Sequence, residues 1–211
     1  GVFILNGKFI TFEGPEGSGK TSVITGIKEY LDNNNINYIT TREPGGIKIA
    51  EAIRDIILDK ENTEMDPHAE ALLFAASRSQ HFNEKVVPAL NQGKIVLCDR
   101  FIDSSLAYQG HARGLGIDEV YNINKFAIGN ILPDLTIFID VPPSVGLNRV
   151  FSNSRDVDRL DLESLAFHEL VYEGYMIIAN KYSDRFKIVD GTQSKEKVIE
   201  DTIKVIKSVL E

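Results

Sequence analysis

Residues 9 to 21 read Phe9-Ile10-Thr11-Phe12-Glu13-Gly14-Pro15-Glu16-Gly17-Ser18-Gly19-Lys20-Thr21. Phe9 to Phe12 are aromatic or β-branched and read as a strand. Gly14 to Thr21 spell G-x-x-x-x-G-K-T, and a helical pattern runs from about 19 to 33. Strand, glycine loop and helix in that order are the context a phosphate-binding loop requires. Its glycines let the backbone wrap around phosphates with successive N–H groups pointing inward. The helix N-terminus adds partial positive charge. Lys20 can bridge the outer phosphates, and the Thr21 hydroxyl can ligate Mg²⁺.

The rest of the chain repeats this alternation. Candidate strands are 8–13, 37–41, 94–99, 134–141 and 185–189. Between them lie helical patterns at about 19–33, 47–59, 67–92, 103–109, 117–130, 144–152, 162–182 and 195–210. In the second of these, Ile49, Ile53, Ile56 and Ile57 are expected on one face. Strands separated by helices predict an α/β fold, a five-stranded parallel sheet of P-loop NTPase type with helices on both faces. Ligands are then expected at the carboxyl ends of the strands.

Composition agrees with one such domain spanning residues 1–211. Of 211 residues, 43% are hydrophobic and 26% charged, which suits a globular protein and excludes disorder, collagen or coiled coil as the main organisation. The 31 acidic and 23 basic residues give a net charge of −8, which argues against sequence-independent nucleic acid or anionic membrane partners. No apolar run reaches the ~18 residues of a membrane span. The apolar start, Gly1 to Gly7, lacks a basic flank and does not read as a signal peptide. The one cysteine, Cys98, fits a reducing cytoplasm and reads as a small core residue. His68, His81, His111 and His168 lack metal-ligand spacing and any obvious carboxylate partner in sequence.

An acidic residue ending a neighbouring strand should complete the phosphate site, as a Mg²⁺-linked carboxylate. Asp99 and Asp140 compete for this role. Asp99 precedes Arg100, small hydroxyls and Tyr108-Gln109, whereas Asp140 precedes Val141-Pro142-Pro143, which reads as a strand exit. A GTPase switch is disfavoured: no Asp has Gly three residues later, and neither Asn-Lys pair carries the following Asp. A kinase for a small anionic acceptor needs a second basic pocket and a lid that excludes water. Arg42-Glu43-Pro44-Gly45-Gly46 falls on the ligand edge, and Arg54, Arg78 and Arg100 are candidates to clamp the acceptor. Ion pairing of Arg78 with Glu70 or Glu84, in helical register, is the plainer alternative. The polar, arginine-rich segment 149–161 suits a lid, with Arg155 as its main arginine and Arg159 second.

Asp99-Arg100-Phe101-Ile102-Asp103-Ser104-Ser105-Leu106-Ala107-Tyr108-Gln109-Gly110 resembles the D-R-aromatic-x-x-S-x-x-A-Y-Q-G signature of the thymidylate kinases. With residues 9–21 and 42–46, the likeness covers about 8–210. It implies transfer of the γ-phosphoryl of ATP to dTMP, Mg²⁺ dependence and a homodimer packed through helices. It implies that Gly14, Pro15, Glu16, Gly17, Ser18, Gly19, Lys20 and Thr21 bind the donor, with Arg149 near the adenine and Gln193 at its edge. Phe74 should lie on the thymine ring, Arg78 should bond a thymine carbonyl, and Ser105 and Gln109 should complete recognition of the base. Arg54 and Arg100 should hold the dTMP phosphate, and Glu43, Pro44 and Ser104 are further expected substrate-binding residues. Tyr108 should crowd the sugar 2′ position, Glu16 should reach the 3′-OH, and Asp99 and Thr21 should serve the metal. Lys20, Asp99, Arg100, Arg155 and Arg159 are the residues expected to carry catalysis. Another deoxynucleotide or deoxynucleoside acceptor is the first alternative; a non-catalytic nucleotide-binding module is the second. Seven of the 23 basic residues, Lys20, Arg54, Arg78, Arg100, Arg149, Arg155 and Arg159, fall at these positions. The apolar faces near 72–76 and 126–131 are candidates for the dimer interface.

Overall fold

The computed structural model describes residues 6–153 and 156–210. Five strands form one parallel sheet in the order β2-β3-β1-β4-β5. They are β1 (Lys8–Glu13), β2 (Tyr38–Arg42), β3 (Ile95–Asp99), β4 (Leu135–Asp140) and β5 (Phe186–Asp190). Successive residues of β1 serve opposite faces. Phe9 packs with Phe82, Phe101 and Tyr175, whereas Ile10 and Phe12 pack with Val23, Ile27, Leu31, Val198 and Ile206. Burial on both faces explains the nearly unbroken apolar character of the strands.

Helices α1 (Lys20–Asn33) and α9 (Lys195–Leu210) pack together on the second of these faces. On the first face lie α3 (Pro67–His81), α6 (Ile117–Ile128) and α8 (Leu165–Lys181); α2 (Lys48–Leu58) packs on α3. Asp66 caps α3, accepting the backbone N–H of His68 and Ala69, with Pro67 following at the first helical position. The helical path expected over 67–92 is observed, with a π-helical turn at Phe82–Val86 before α4 (Val87–Asn91). The short α5 (Ile102–Ser105) runs into a second π-helical stretch, Leu106–Ala112, and α7 (Pro143–Ser152) follows β4.

The apolar face of α2 is only partly covered. Ala50 and Ile57 are buried, but Ile49 and Ile56 are half exposed. The helix presents an apolar surface wider than α3 alone covers. Cys98 is fully buried and its thiol donates to the Arg100 carbonyl at 3.2 Å. Burial raises its pKa well above the usual thiol value, so it is a core residue rather than a reactive thiol. Of the histidines, His81 is a core residue. It is buried between Thr41 and Glu43, with its Nδ1 2.9 Å from a carboxylate contributed by another element.

Strand β1 sits between β3 and β4, so the chain reverses its direction of travel across the sheet there. Such a switch point opens a crevice at the carboxyl ends of the strands. The glycine loop leaves β1 into that crevice, and the register pairs Phe12 with Asp99.

Candidate active site

A cavity of about 910 Å³ occupies the crevice. Residues 16–21 of the glycine loop line one side of it. Glu43, Pro44, Arg54, Phe74, Asp99, Arg100, Ser104, Tyr108, Gln109 and Arg149 line the rest. These residues come from the end of β3, from the loops after β1, β2 and β3, and from α1, α2, α3, α5, the π-helical stretch after it and α7.

The loop is shaped by close approach to α7. A Cβ on Gly17 would lie 2.2 Å from the Gly146 carbonyl oxygen, and one on Gly146 would lie 2.2 Å from that of Glu16. Glycine is therefore required at both positions, and the second is one that sequence reasoning missed. Arg149, one turn beyond Gly146, donates to the Gly17 carbonyl at 3.1 Å. Gly14 and Pro15 present their carbonyls to Lys20 Nζ at 3.3 Å each. Burial, and then Arg100, push the Lys20 pKa down from its ordinary value.

Asp99 and Asp140, the two candidate carboxylates, stand in different surroundings. Asp99 lines the cavity, and its Oδ1 is buried with no hydrogen-bond partner among the described residues. Ser18 Oγ is in the same condition. Asp140 Oδ1 accepts instead from the Tyr172 hydroxyl at 2.9 Å, outside the cavity lining. A buried carboxylate oxygen without a donor, in the same cavity that Thr21 lines, fits a divalent cation. No cluster of three or more His, Cys, Asp or Glu among the described residues makes an all-protein metal cage.

Arg100 adopts a left-handed backbone with φ 68. Its Nη2 donates to the Gly14 carbonyl at 2.9 Å and to Glu16 Oε1 at 2.6 Å. Its Nη1 donates to Ser104 Oγ and the Tyr175 hydroxyl, both at 3.1 Å. Its guanidinium lies 5.5 Å from the Tyr108 ring centre. Arg54 donates to the Pro44 carbonyl at 2.9 Å. Both arginines line the cavity, Arg100 bound to Glu16 and Arg54 to the loop after β2.

Besides Gly14 and Pro15, whose carbonyls face Lys20, four expected residues lie outside the cavity lining. Arg78 is buried and bound to Glu43 by its Nε at 2.7 Å, rather than to Glu70 or Glu84. It also donates to Ser105, Asn124 and the Phe101 carbonyl, so four of its five N–H donors are committed. It stands four residues after Phe74 on α3, on the same face of the helix. Ser105 is held as one of its acceptors. Gln193 bonds the Asp190 carbonyl and Asp201 instead of facing the cavity. Arg159 is corrected most fully: its guanidinium is bound to the Ile57 carbonyl and to Glu70, not aimed at the phosphate loop. A buried carboxylate holds a guanidinium more firmly than open solvent does. Arg155, the main lid arginine expected from sequence, lies outside the described residues.

Comparison with known proteins agrees with this geometry. The sequence matches the thymidylate kinase family over residues 12–202. The thymidylate kinase of Clostridium novyi is 58% identical over 196 residues, covering 92% of this chain and 96% of that protein. That of Bacillus velezensis is 57% identical over 207 residues, covering 98% of each. The chain belongs to the thymidylate kinase family. The family signature here, Asp99 to Gly110, is held by residues that sequence reasoning did not single out. Glu13 is fully buried and accepts the backbone N–H of Phe101 and Ser104, at 2.9 and 3.2 Å, and the Tyr175 hydroxyl at 2.7 Å. Burial raises its pKa, while the Arg100 charge opposes that shift. Asp103 forks with Arg185 at 2.7 and 2.8 Å, fixing α5 to the start of β5. A charged residue closing an apolar strand was the available signal for Glu13; nothing local pointed to Tyr175 or Arg185.

Proposed function

We propose that this protein transfers the γ-phosphoryl group of ATP to dTMP, giving dTDP and ADP. The observation that carries the reading is a single cavity lined both by the glycine loop with Lys20 and by Phe74, Tyr108 and Gln109. A phosphate cradle and a flat aromatic and amide surface for a base share one space. The family membership and the names of the relatives support the same acceptor.

In this reading residues 14–21 hold the donor phosphates through backbone N–H groups, and Arg149 borders the adenine. Arg54 and Arg100 fork the acceptor phosphate, which their planar guanidinium groups suit better than lysine would. Glu16 takes the sugar 3′-OH and Tyr108 crowds the 2′ position. Phe74 stacks on the base, with Gln109 at its edge and the remaining Arg78 N–H behind. Asp99 and Thr21 would hold Mg²⁺, which would neutralise phosphate charge. The acceptor phosphate is a dianion near neutral pH, so no strong general base is needed. Its oxygen attacks the γ-phosphorus in line, and the bond to the ADP oxygen breaks. Lys20 and Arg100 offset the developing charge. Arg155, in segment 149–161, is assigned the lid contact to the transferring group.

ADP release measured across dTMP, dUMP, dCMP, dGMP and thymidine tests the proposal. Turnover of dTMP far above dCMP and thymidine is expected. Equal use of dCMP refutes the acceptor assignment, and ADP release independent of any acceptor refutes kinase activity.

The protein is assigned to the cytoplasm as one domain and a homodimer. No helix among the described residues is long and apolar enough to cross a membrane. Leu72 on α3 is 56% exposed and Phe126 on α6 is 95% exposed, and these helices pack on each other. An almost fully exposed Phe and an exposed Leu on two helices packed together suit burial against another copy. Phe126→Glu is expected to shift the protein from dimer to monomer by sedimentation velocity. A monomeric parent would refute the dimer.

A further inference from the structure

We propose that Glu70 is a positioning residue that sets the hydrogen-bond polarity of the base site: it binds the amide nitrogen of Gln109 and so leaves the Gln109 carbonyl oxygen to the bound base. The inference rests on the acceptor reading above and extends it to a residue with no contact to the cavity.

Glu70 lies in the first turn of α3 and is 1% exposed. Its Oε1 accepts from Gln109 Nε2 at 2.9 Å and Arg113 Nε at 3.2 Å. Its Oε2 accepts from Arg113 Nη2 at 3.3 Å and from Arg159 Nη2. Four donors thus converge on two oxygens, the full capacity of a carboxylate. Burial pushes its pKa up, but the bonds from Arg113, Gln109 and Arg159 outweigh this and hold it below the usual value. The group is therefore ionised and can only accept.

A glutamine amide has one donor end and one acceptor end. Facing an acceptor-only carboxylate, Gln109 must turn its NH₂ toward Glu70. Its Oε1 is then the polar atom left for the cavity that Gln109 lines, and no described residue donates to it. The thymine edge carries an N3–H donor between two carbonyls. The cytosine edge carries a bare N3 acceptor beside an amino group. Gln109 Oε1 meets the first with a hydrogen bond and the second with lone-pair repulsion. A site built to hydrogen-bond a substrate rejects the mismatched one strongly, because its own buried group is left unpaired.

The carboxylate is itself held still. Arg113 also donates to Glu163 at 2.6 Å and lies 4.4 Å from the Phe167 ring centre. Phe167 meets Tyr108 edge-on, with ring centres 6.2 Å apart. Arg159 brings the segment after α7 onto the same carboxylate. Loss of that tie would alter turnover of every acceptor alike, whereas a change of polarity at Gln109 separates thymine from cytosine.

Glu70→Gln tests this with an isosteric change. The carbonyl of the substituted side chain is claimed by the two arginine Nη donors, so its NH₂ faces Gln109. Gln109 then turns its carbonyl inward and offers NH₂ to the base. The ratio of kcat/KM for dTMP to that for dCMP is expected to fall about tenfold or more, mainly through KM. Glu70→Asp, which can still only accept, should keep the ratio within about threefold even if the protein melts earlier. An unchanged ratio in folded Glu70→Gln, with a parent that uses dTMP, overturns this inference alone. A parent that does not use dTMP overturns the acceptor reading and this inference with it. Hydrogen exchange of the Gln109 side-chain amide in the unaltered protein gives the decision without a variant: slow exchange supports the bond to Glu70, and exchange at the rate of free glutamine overturns the inference.

Discussion

Lys20→Ala is expected to lower kcat by about 10²–10³ while the KM for dTMP moves by less than about threefold. The side chain is 7% exposed, and its Nζ rests on the Gly14 and Pro15 carbonyls inside the loop. It is thus anchored where the transferring phosphoryl group is assigned, on the donor side of the cavity and not beside Phe74 or Gln109. Charge that develops only as the bond to phosphorus breaks is stabilised in the transition state and hardly at all in the bound ground state, so kcat takes the loss. The fold should survive, because both carbonyls keep another donor: Arg100 Nη2 reaches that of Gly14 at 2.9 Å, and the Ser18 N–H reaches that of Pro15 at 3.1 Å. Steady-state ADP release with dTMP varied checks both parameters. A fall in kcat of only a few-fold would remove the glycine loop from catalysis, and a large rise in KM with unchanged kcat would move Lys20 to the acceptor side.

Arg100→Ala is expected to lower kcat/KM for dTMP by about 10³ and to destabilise the fold by about 3–5 kcal/mol. The two effects have separate causes. The kinetic loss follows from removing a guanidinium that stands on the acceptor wall, 2.6 Å from Glu16, where the dTMP phosphate is assigned. The stability loss follows from what that guanidinium neutralises inside the protein. Glu13 is fully buried 3.8 Å away, and Arg100 is the positive charge that opposes the upward shift burial imposes on its carboxyl. Without it the carboxyl must take up a proton or remain an uncompensated buried charge. At roughly 2–4 °C per kcal/mol, the melting temperature should fall by about 6–20 °C. Arg100→Lys should recover part of the stability, since the charge returns, but little of kcat/KM, since the bidentate fork does not. Kinetics in dTMP and thermal melts of the three proteins at pH 7 check this. Equal recovery of both quantities in Arg100→Lys would show that charge alone is what the site needs.

The elements were legible from local pattern. Strand 8–13 and helix 195–210 appear in the structure with the boundaries read from sequence, and the other strands differ by only one or two residues at their ends. The π-helical turns were not legible, because one extra residue in a turn hardly disturbs the spacing of apolar positions. Nor was the exposure of Ile49 and Ile56, since periodicity names a stripe without showing how much of it a neighbour covers. Of the residues singled out as a site, those attached to the glycine loop, to the start of the signature and to Phe74 line one cavity. The arginines were harder. Arg78, Arg100 and Arg159 look alike in sequence, yet each is placed by a carboxylate that no local spacing reveals.

Sequence alone determined the parallel sheet, the phosphate loop at the end of its first strand and Asp99 at the end of the neighbouring strand. Those follow from short-range spacing, which the backbone reads directly. Tertiary structure decided which charges meet. Arg78 finds Glu43 across 35 residues, Arg159 finds Glu70 across 89, and Tyr175 finds Glu13 across 162. An ion pair or buried hydroxyl needs only proximity and correct orientation, and neither leaves a periodic trace along the chain. Packing the helices on the sheet creates that proximity, so it was packing that separated the arginines lining the cavity from those that hold its walls.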